Sequence, residues 1–320
     1  AYQFRHEIVR EAVYQGMSTW RRRLLHRRAG EALERLRRQD AAALAWHFEQ
    51  AGEMGRAAQH ALQAGLSAKA DFAHREARGH FDRALALLQR EVAHLRDPAA
   101  LVANQQLRVR ILAERGWVFR LLGDMQAYAS DLEEEARLAA VIGAQETLAH
   151  LRWREAACHR WFCHYDEALA AGEAGLGLSQ AAGDPLLEAN CWREVGLAAR
   201  ATGDYVRAET ALQRALSLFE DLDEPVYEIH VLGNLSTLHW CLGNYEQAMA
   251  WARREMARCD QVGLPLERRL PLGDMGAAAA ALGDGAQARQ CLYESRDIAR
   301  QIADCTQEIF CLGHLGWLAG

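Results

Sequence analysis

Residues 192–215 read WREVGLAARATGDYVRAETALQRA. The pair Gly203-Asp204 divides this stretch, and on both sides of it apolar residues recur every three or four positions, which is the spacing of an amphipathic helix. Glycine ends a helix readily because it tolerates the left-handed conformation, and aspartate suits the start of the next helix. The pattern therefore predicts two antiparallel helices, over residues 185–202 and 205–221, joined by a tight turn.

The same pattern recurs every forty residues along the chain. The turn positions are Gly123, Cys163, Gly203, Gly243 and Gly283. Seven residues before each turn the side chain is small, and these positions are Gly116, Ala156, Gly196, Ser236 and Gly276, with Gly316 in a sixth copy. Small side chains let two helices approach closely, and prolines at 185, 225 and 265 suit the first turn of a helix. The chain is therefore predicted to be an array of repeats, with no strands.

Two copies of the repeat resemble the tetratricopeptide motif. In the first copy the matching residues are Trp192, Gly196, Gly203-Asp204-Tyr205, Ala208, Leu212 and Ala215. In the second copy they are Leu232, Leu235, Ser236, Gly243-Asn244-Tyr245 and Ala248. The resemblance implies an all-α fold, a right-handed superhelical solenoid of helix-turn-helix repeats, here with a period of about 40 residues instead of the usual 34.

Four segments follow from the spacing of the repeats. Residues 1–40 form a basic helical junction, 41–97 two short degenerate repeats, 98–305 five repeats of about 40 residues, and 306–320 the first helix of a further repeat. Within the degenerate repeats we expect helices near 41–51, 54–66, 67–73 and 75–91, and Asp97-Pro98 is a good helix start. Because the last segment stops inside a repeat, we expect the chain to be a piece of a longer protein.

The composition argues against most enzyme chemistry. Of 37 basic residues only Lys69 is lysine, and its neighbours do not form the Gly-Lys-Ser/Thr sequence of a phosphate-binding loop. No metalloprotease, serine-hydrolase or dinucleotide-binding string is present. No apolar run approaches the ~18 residues of a membrane span. We therefore expect a non-enzyme without a cofactor, located in the cytoplasm and not bound to membranes.

The eight cysteines predict neither a disulfide framework nor a metal site. They are scattered through amphipathic segments, where cysteine behaves as a small apolar residue. Cys158-His159 and Cys163-His164 are candidate zinc ligands by residue type, but their spacing differs from that of paired Cys-x-x-Cys ligands. We favour buried or partly buried side chains at these positions and expect no metal.

The first forty residues carry ten arginines and five acidic residues, a net charge of +5. This segment resembles the junction after the winged-helix part of STAND regulatory ATPases, which include the large ATP-binding transcriptional regulators related to the maltose-regulon activator. The matching residues are Phe4, His6, Arg10, Glu11, Tyr14, Arg21 to Arg23, Leu25-His26, Ala32 and Leu36, and residues 45–52 are typical of the first repeat in that family. The resemblance implies a bacterial sensor arm whose ATPase module lies upstream, outside this sequence.

The arginines of the junction are assigned to docking against that ATPase module. They are Arg21, Arg22, Arg23, Arg27 and Arg28. Nucleic acid is the alternative ligand of a basic helix. No series of aromatic residues is interleaved with these arginines. The junction carries a net charge of +5, but the remainder of the chain carries −11, which would repel a long duplex. We therefore expect no nucleic-acid partner.

Alignment to the tetratricopeptide family implies a concave groove lined by the first helix of each repeat. The residues placed there are Arg110, Trp117, Arg120, His150, Trp153, Arg160, Asn190, Arg193, Arg200, His230 and Trp240. Arg120, Arg160 and Arg200 are forty residues apart and form a ladder suited to the carboxylates of an extended acidic peptide. The expected ligand is a protein or peptide partner, an acidic one in particular.

A second interpretation assigns the same residues to structure. The arginines would then close the interface with neighbouring second helices by bonding carboxylates such as Glu173 or Glu209. The chain would be a structural, autoinhibitory or oligomerisation arm without a ligand of its own. Convergence of the arginines and tryptophans on one open cleft favours a sensor, whereas burial and ion pairing favour a scaffold.

Overall fold

The computed structural model describes residues 7–36 and 40–319, with side chains from residue 11 onward. These residues form two compact units that divide at Gln145. The described residues contain sixteen α-helices and no strand, so the predicted all-α fold is confirmed. None of these helices is both long enough and apolar enough to cross a lipid bilayer.

The first unit contains seven helices. They are α1 (Glu7–Gln15), α2 (Thr19–Arg35), α3 (Ala41–Ala51), α4 (Met54–Ala70), α5 (His74–Val92), α6 (Pro98–Leu122) and α7 (Met125–Ile142). Phe48 and Phe81 are fully buried in its core together with Ile111. Ser18 caps α2 and Asp97 caps α6, and the second of these confirms the helix start predicted at Asp97-Pro98.

The second unit is formed by nine helices. They are α8 (Gln145–Trp161), α9 (Tyr165–Ala182), α10 (Pro185–Thr202), α11 (Tyr205–Asp221), α12 (Pro225–Cys241), α13 (Tyr245–Val262), α14 (Arg269–Ala281), α15 (Gly285–Gln301) and α16 (Cys305–Trp317). The bounds of α10 and α11 confirm the helix pair predicted from residues 192–215. From α9 onward each helix packs against the next one along the chain. Leu212, Phe219 and Leu232 are completely buried where α10, α11 and α12 meet.

The five predicted turns share one backbone conformation. The φ angles are +74° at Gly123, +60° at Cys163, +85° at Gly203, +75° at Gly243 and +84° at Gly283. In each turn the amide of the following residue donates to a carbonyl five residues earlier, as in Asp204 N to Ala199 O at 3.0 Å. Cys163 adopts this conformation with a side chain, which costs about 1–2 kcal/mol relative to glycine. The forty-residue register is therefore present even where glycine is not.

Two helix boundaries differ from the sequence prediction. The separate helix expected over 67–73 is wrong, because α4 continues to Ala70 and the turn follows at Phe72, where φ is +59°. Pro265 does not lie in the first turn of a helix, since α14 begins at Arg269. A helix beginning at 265 would bring Pro271 into its interior, where the missing N–H leaves a carbonyl unpaired and the ring clashes with the preceding turn. Residues 264–270 instead form i to i+3 bonds, such as Leu270 N to Glu267 O.

The small residues before the turns allow the close approach that the sequence predicts. A Cβ built on Gly196 would lie 2.7 Å from Leu212 Cγ, and one on Gly276 would lie 2.6 Å from Leu292 Cγ. Ser236, at the same position one repeat further, donates to Ala248 O at 3.0 Å. The two helices of a repeat therefore touch at this position through backbone and short side chains.

We expect the substitutions Gly196→Ala and Gly177→Ala to change stability in opposite directions. Gly196→Ala forces Leu212 from its buried position and should lower the free energy of unfolding by about 1–2 kcal/mol. Gly177 also lies inside a helix of the second unit, but a Cβ there meets no atom within 4 Å. Gly177→Ala should therefore raise the free energy by about 0.5–1 kcal/mol, because alanine loses less backbone entropy. Hydrogen exchange of the amides around each position measures both changes, and equal changes would contradict the close-contact interpretation.

Candidate functional site

An open polar cleft of about 330 Å³ lies within the second unit. The helices that line it are α8, α10, α12 and α14, which are the first helices of consecutive repeats, and α13 contributes one side chain. Of the residues that the sequence assigns to a groove, Arg160, Arg193 and His230 line this cleft. The predicted arrangement of first helices thus brings residues from different repeats together at one surface.

Two of these arginines share one carboxylate. Arg160 Nε donates to Glu194 Oε2 at 2.9 Å, and Arg193 Nη2 donates to Glu194 Oε1 at 3.2 Å. The Glu194 side chain is only 2% exposed, whereas that of Arg160 is 35% exposed. The Arg193 guanidinium also lies 5.9 Å from the centre of the Tyr227 ring. This end of the cleft therefore carries two positive charges against one negative charge.

His230 lies at the mouth of the cleft. It is an exposed residue, but its imidazole faces the cleft, where burial, and secondarily the charge of Arg193, lower its pKa. At neutral pH the ring is therefore uncharged, and it offers one hydrogen-bond donor and one acceptor.

Besides Glu194, two further acidic residues that sequence reasoning missed lie in the same cleft. Glu255 of α13 is 2% exposed, and its Oε2 has no hydrogen-bond partner among the described residues. Burial raises its pKa, as do the charges of Asp274 and Glu267. Burial also raises the pKa of Asp274 to about 7, although the Ser236 hydroxyl and the charge of Arg200 act in the opposite direction. The cleft thus has an acidic end opposite its arginine end.

A signal for Glu255 was available in the sequence. In the second unit the other residues at its repeat position are small or uncharged: Gly175, Ala215 and Ser295. Glu255 stands at a position where the second helix otherwise carries a small residue and packs against the first helix. A glutamate at such a position indicates a buried carboxylate. Asp274 follows Asn234 by forty residues and Glu194 by eighty, and both of these line the same cleft, so its helical face follows from the register.

The remaining predicted groove residues of the second unit do not line this cleft. Asn190 is buried and donates to Leu186 O at 2.9 Å. Trp153 is half-buried against the core, and its Nε1 has no described partner. His150 is exposed, with Nε2 3.8 Å from Asp184 Oδ2.

Arg200 and Trp240 have different surroundings. Arg200 is half-buried near the end of α10, and its Nε has no hydrogen-bond partner among the described residues. Trp240 is 42% exposed and lines a separate hollow of about 470 Å³, which is apolar and includes Phe310 and Trp317 of α16. The second-unit part of the predicted ladder therefore includes one arginine in the cleft, Arg160, and one beside it.

Three predicted groove residues belong to the first unit. Arg110 and Arg120 are exposed on α6, and the Arg120 guanidinium lies 5.8 Å from the centre of the Tyr128 ring. Trp117 is 46% exposed. Lys69 Nζ lies 4.7 Å from the Trp117 ring centre, and the same amine donates to Glu114 at 2.6 Å. The single lysine therefore pairs with side chains of its own unit.

The docking arginines lie on α2. Arg21, Arg23 and Arg28 are exposed. Arg27 pairs with Glu53 at 2.8 Å, and the Arg22 guanidinium lies 5.5 Å from the Tyr14 ring centre. Phe4 and His6, which carry part of the family resemblance, lie outside the described residues.

The cysteines are free thiols in the described part of the chain, and five of the eight are buried. Burial raises the pKa of Cys191 and of Cys259 to about 12, so both stay protonated and unreactive at neutral pH. Cys163 is exposed in its turn. No group of three or more His, Cys, Asp or Glu side chains among residues 11–36 and 40–319 is arranged to hold a metal ion.

Residues 187–261 match the family model described as "Tetratricopeptide repeat". No curated protein matches the chain significantly. Three solved structures illustrate its similarity. BtubC from P. vanneervenii is 19% identical, with a TM-score of 0.58 over 71% of this chain and 91% of that one. A Rap protein complexed with Competence and Sporulation Factor is 12% identical, with a TM-score of 0.55 over 97% and 90%.

The third structure is a STAND protein with a tetratricopeptide repeat sensor from Pyrococcus horikoshii. It is 14% identical, with a TM-score of 0.57 over 98% of this chain and 52% of that one. At these identities the likeness concerns the fold alone. The chain folds as helix pairs of the tetratricopeptide type, and residues 187–261 match that repeat in sequence as well.

Proposed function

We propose that this chain is a protein- or peptide-binding sensor arm that regulates a STAND-type signal-transduction ATPase in bacteria, and that it catalyses no reaction. The observation that carries the proposal is the polar cleft of the second unit, which is built from consecutive first helices. An extended segment in this cleft would contact several repeats at once, which is how solenoid proteins use their repeated surface.

Two of the structural comparisons support the two halves of the proposal. The Rap protein was solved in complex with Competence and Sporulation Factor, so a protein with this fold binds a ligand. The Pyrococcus horikoshii protein joins a tetratricopeptide sensor to a STAND ATPase, and the present chain spans 52% of it. The basic α2, with exposed Arg21, Arg23 and Arg28, is the surface that we assign to docking on the upstream ATPase module.

Regulation would follow from differential binding. A ligand shifts a two-state equilibrium only if it binds one state more tightly than the other. The cleft joins α8, α10, α12 and α14, so a ligand that favours one spacing of these helices would favour one arrangement of the repeats. By linkage, the cleft would bind the ligand more tightly when the ATPase is in the state that favours this arrangement.

The scaffold alternative is favoured by the ion pairs of Arg160 and Arg193. Both guanidiniums already bond Glu194, not the Glu173 or Glu209 that the sequence suggested. Glu173 pairs with Arg207 instead, and Glu209 lies 3.5 Å from His239. A scaffold arm would keep these pairs closed and bind nothing in the cleft.

A displayed library of random dodecapeptides separates the two functions. We expect the wild-type chain to enrich acidic sequences, and Arg160→Ala with Arg200→Ala to weaken binding of a selected peptide at least tenfold, since each lost charge-assisted bond contributes about 1.5–3 kcal/mol. The control is Arg214→Ala with Arg289→Ala, which removes the same charge from exposed positions on second helices of the same unit. No enrichment by the wild-type chain would leave the scaffold function.

A further inference from the structure

Glu255 is a buried carboxylate, and one of its two oxygens has no hydrogen-bond donor among the described residues. It projects from α13 against Gly233 of α12, where a Cβ would lie 3.1 Å from Oε2 and 3.2 Å from Oε1. Glu255 is 2% exposed, lines the cleft, and has no hydrogen-bond partner for Oε2 within the described residues. An ionised carboxylate in this position costs free energy unless it is paired.

The next repeat shows how the chain fills the equivalent position. Forty residues further along, Gly233 and Glu255 become Gly273 and Ser295. There the amide of Gln307 donates to Ser295 Oγ at 3.0 Å and to Arg269 O at 3.1 Å. Gln307 therefore lies in the gap opposite the glycine and satisfies the polar group on the second helix.

In the Glu255 repeat that donor is replaced by an acceptor. The residue forty positions before Gln307 is Glu267, whose carboxylate bonds Arg269 Nη1 at 2.7 Å. Glu267 also precedes α14, because the helix begins at Arg269, whereas Gln307 lies within α16. The chain thus supplies a donor to the gap in one repeat and a second negative charge in the other.

Four arginines around the cleft bond carboxylates other than Glu255, and a fifth, Arg200, directs its charge at Asp274. Arg160 and Arg193 bond Glu194, and Arg269 bonds Asp304 as well as Glu267. Arg258, on the same helix as Glu255, bonds Glu228 at 2.8 Å. Asp274 adds a further acidic group beside Glu255. The acidic end of the cleft consequently favours a cation.

We propose that Glu255 is the base of a subsite for a cationic side chain, the guanidinium of arginine or the ammonium of lysine, carried by a peptide that binds the cleft. The inference rests on the proposed function and assigns the chemistry of one ligand residue. Asn234 and Thr237 line the same cleft and offer oxygen acceptors for the remaining N–H groups. Because the Arg160–Glu194–Arg193 end carries the opposite charge, an acidic residue of the same peptide would lie there.

The test compares peptides selected from the same dodecapeptide library on the wild type and on Glu255→Gln. We expect the wild type to enrich arginine or lysine at one fixed position, and Glu255→Gln to lose that preference while it keeps the preference for an acidic residue. Replacing the selected arginine by citrulline, its uncharged isostere, should weaken binding at least tenfold to the wild type and less than threefold to Glu255→Gln. Glu246→Gln, an exposed position on the same helix, is the control and should behave as the wild type.

A second variant keeps the negative charge of Glu255 and reduces the space beside its carboxylate. Gly233→Ala places a methyl group against the Glu255 carboxylate, so it should weaken arginine-containing peptides more than their citrulline forms. Enrichment without a basic position, or a basic preference that survives in Glu255→Gln, would overturn the inference and leave the peptide-binding function intact. No enrichment by the wild type would overturn both.

Discussion

Glu194→Ala is expected to destabilise α10 and its neighbours by about 3 kcal/mol. The Glu194 carboxylate is 2% exposed and holds two guanidiniums, of which Arg193 is itself only 15% exposed. Removing one partner of a buried ion pair costs about 3–5 kcal/mol, because the remaining charge stays in a poorly solvated place. We take the lower end of that range because Arg160 is 35% exposed and can turn toward water. Hydrogen exchange of the α10 amides measures the loss locally, which suits a repeat array whose unfolding need not be two-state.

The exposed pair Glu173–Arg207 provides the matched control. It joins two second helices of the same unit, and the side chains of Glu173 and Arg207 are 57% and 37% exposed. An exposed ion pair contributes about 0–1 kcal/mol, so Glu173→Ala should change hydrogen exchange very little. Equal losses for Glu194→Ala and Glu173→Ala would show that the Glu194 cluster is no more than a surface ion pair. The scaffold interpretation would then lose the observation that favours it.

The repeat register was predictable because each of its signals is local. A glycine or a tolerated substitute must adopt positive φ at the turn, and a small residue must stand where the helices touch. These requirements recur every forty residues and are met at Gly203 and Gly196 in one copy. Even Cys163, without glycine's freedom, could be placed by the register. The ends of α10 and α11 followed directly.

The late start of α14 could not be read from the register. Pro265 occupies the position at which Pro185 and Pro225 begin their helices. The boundary is decided by Pro271, six residues later, because two prolines at that spacing cannot both lie in one regular helix without an unpaired carbonyl. The late start leaves Glu267 outside α14, where its charge acts on Glu255. A local exception in the sequence therefore changed the candidate site.

The site itself was predicted only in part, since spacing does not determine partners. Arg160 and His230, which the sequence assigns to the groove, line the cleft together with Glu194 and Glu255, which sequence reasoning left out. A ladder of arginines forty residues apart says nothing about which carboxylates neutralise them. That depends on the rotation of each helix about its axis, and a difference of one residue, from Arg193 to Glu194, turns a side chain by about 100°.

Asp274→Asn is expected to stabilise the second unit at high pH and to leave it unchanged at low pH. Burial raises the pKa of Asp274 from its ordinary 3.8 to about 7, so between these values the folded chain holds a proton that the unfolded chain has released. Stability therefore falls as the pH rises through this window, and the loss is complete above pH 7. At about 1.4 kcal/mol for each unit of pKa, the complete loss amounts to about 4 kcal/mol. Hydrogen exchange of the α14 amides at pH 5 and pH 8 measures it.

The difference between wild type and variant is the quantity to follow, because other groups titrate in the same window. Burial lowers the pKa of His230, so its contribution rises with pH and opposes that of Asp274 in the wild type. Both chains contain His230, and subtraction removes its effect. Asp221→Asn, at an exposed position, should show no pH-dependent difference.

Glu255→Gln should show a difference of the same sign as Asp274→Asn, since burial raises the pKa of Glu255 too. A selected peptide that brings a cation to Glu255 should reduce the pH dependence of the wild type, whereas a constant difference from pH 5 to pH 8 would mean that Asp274 is ionised throughout.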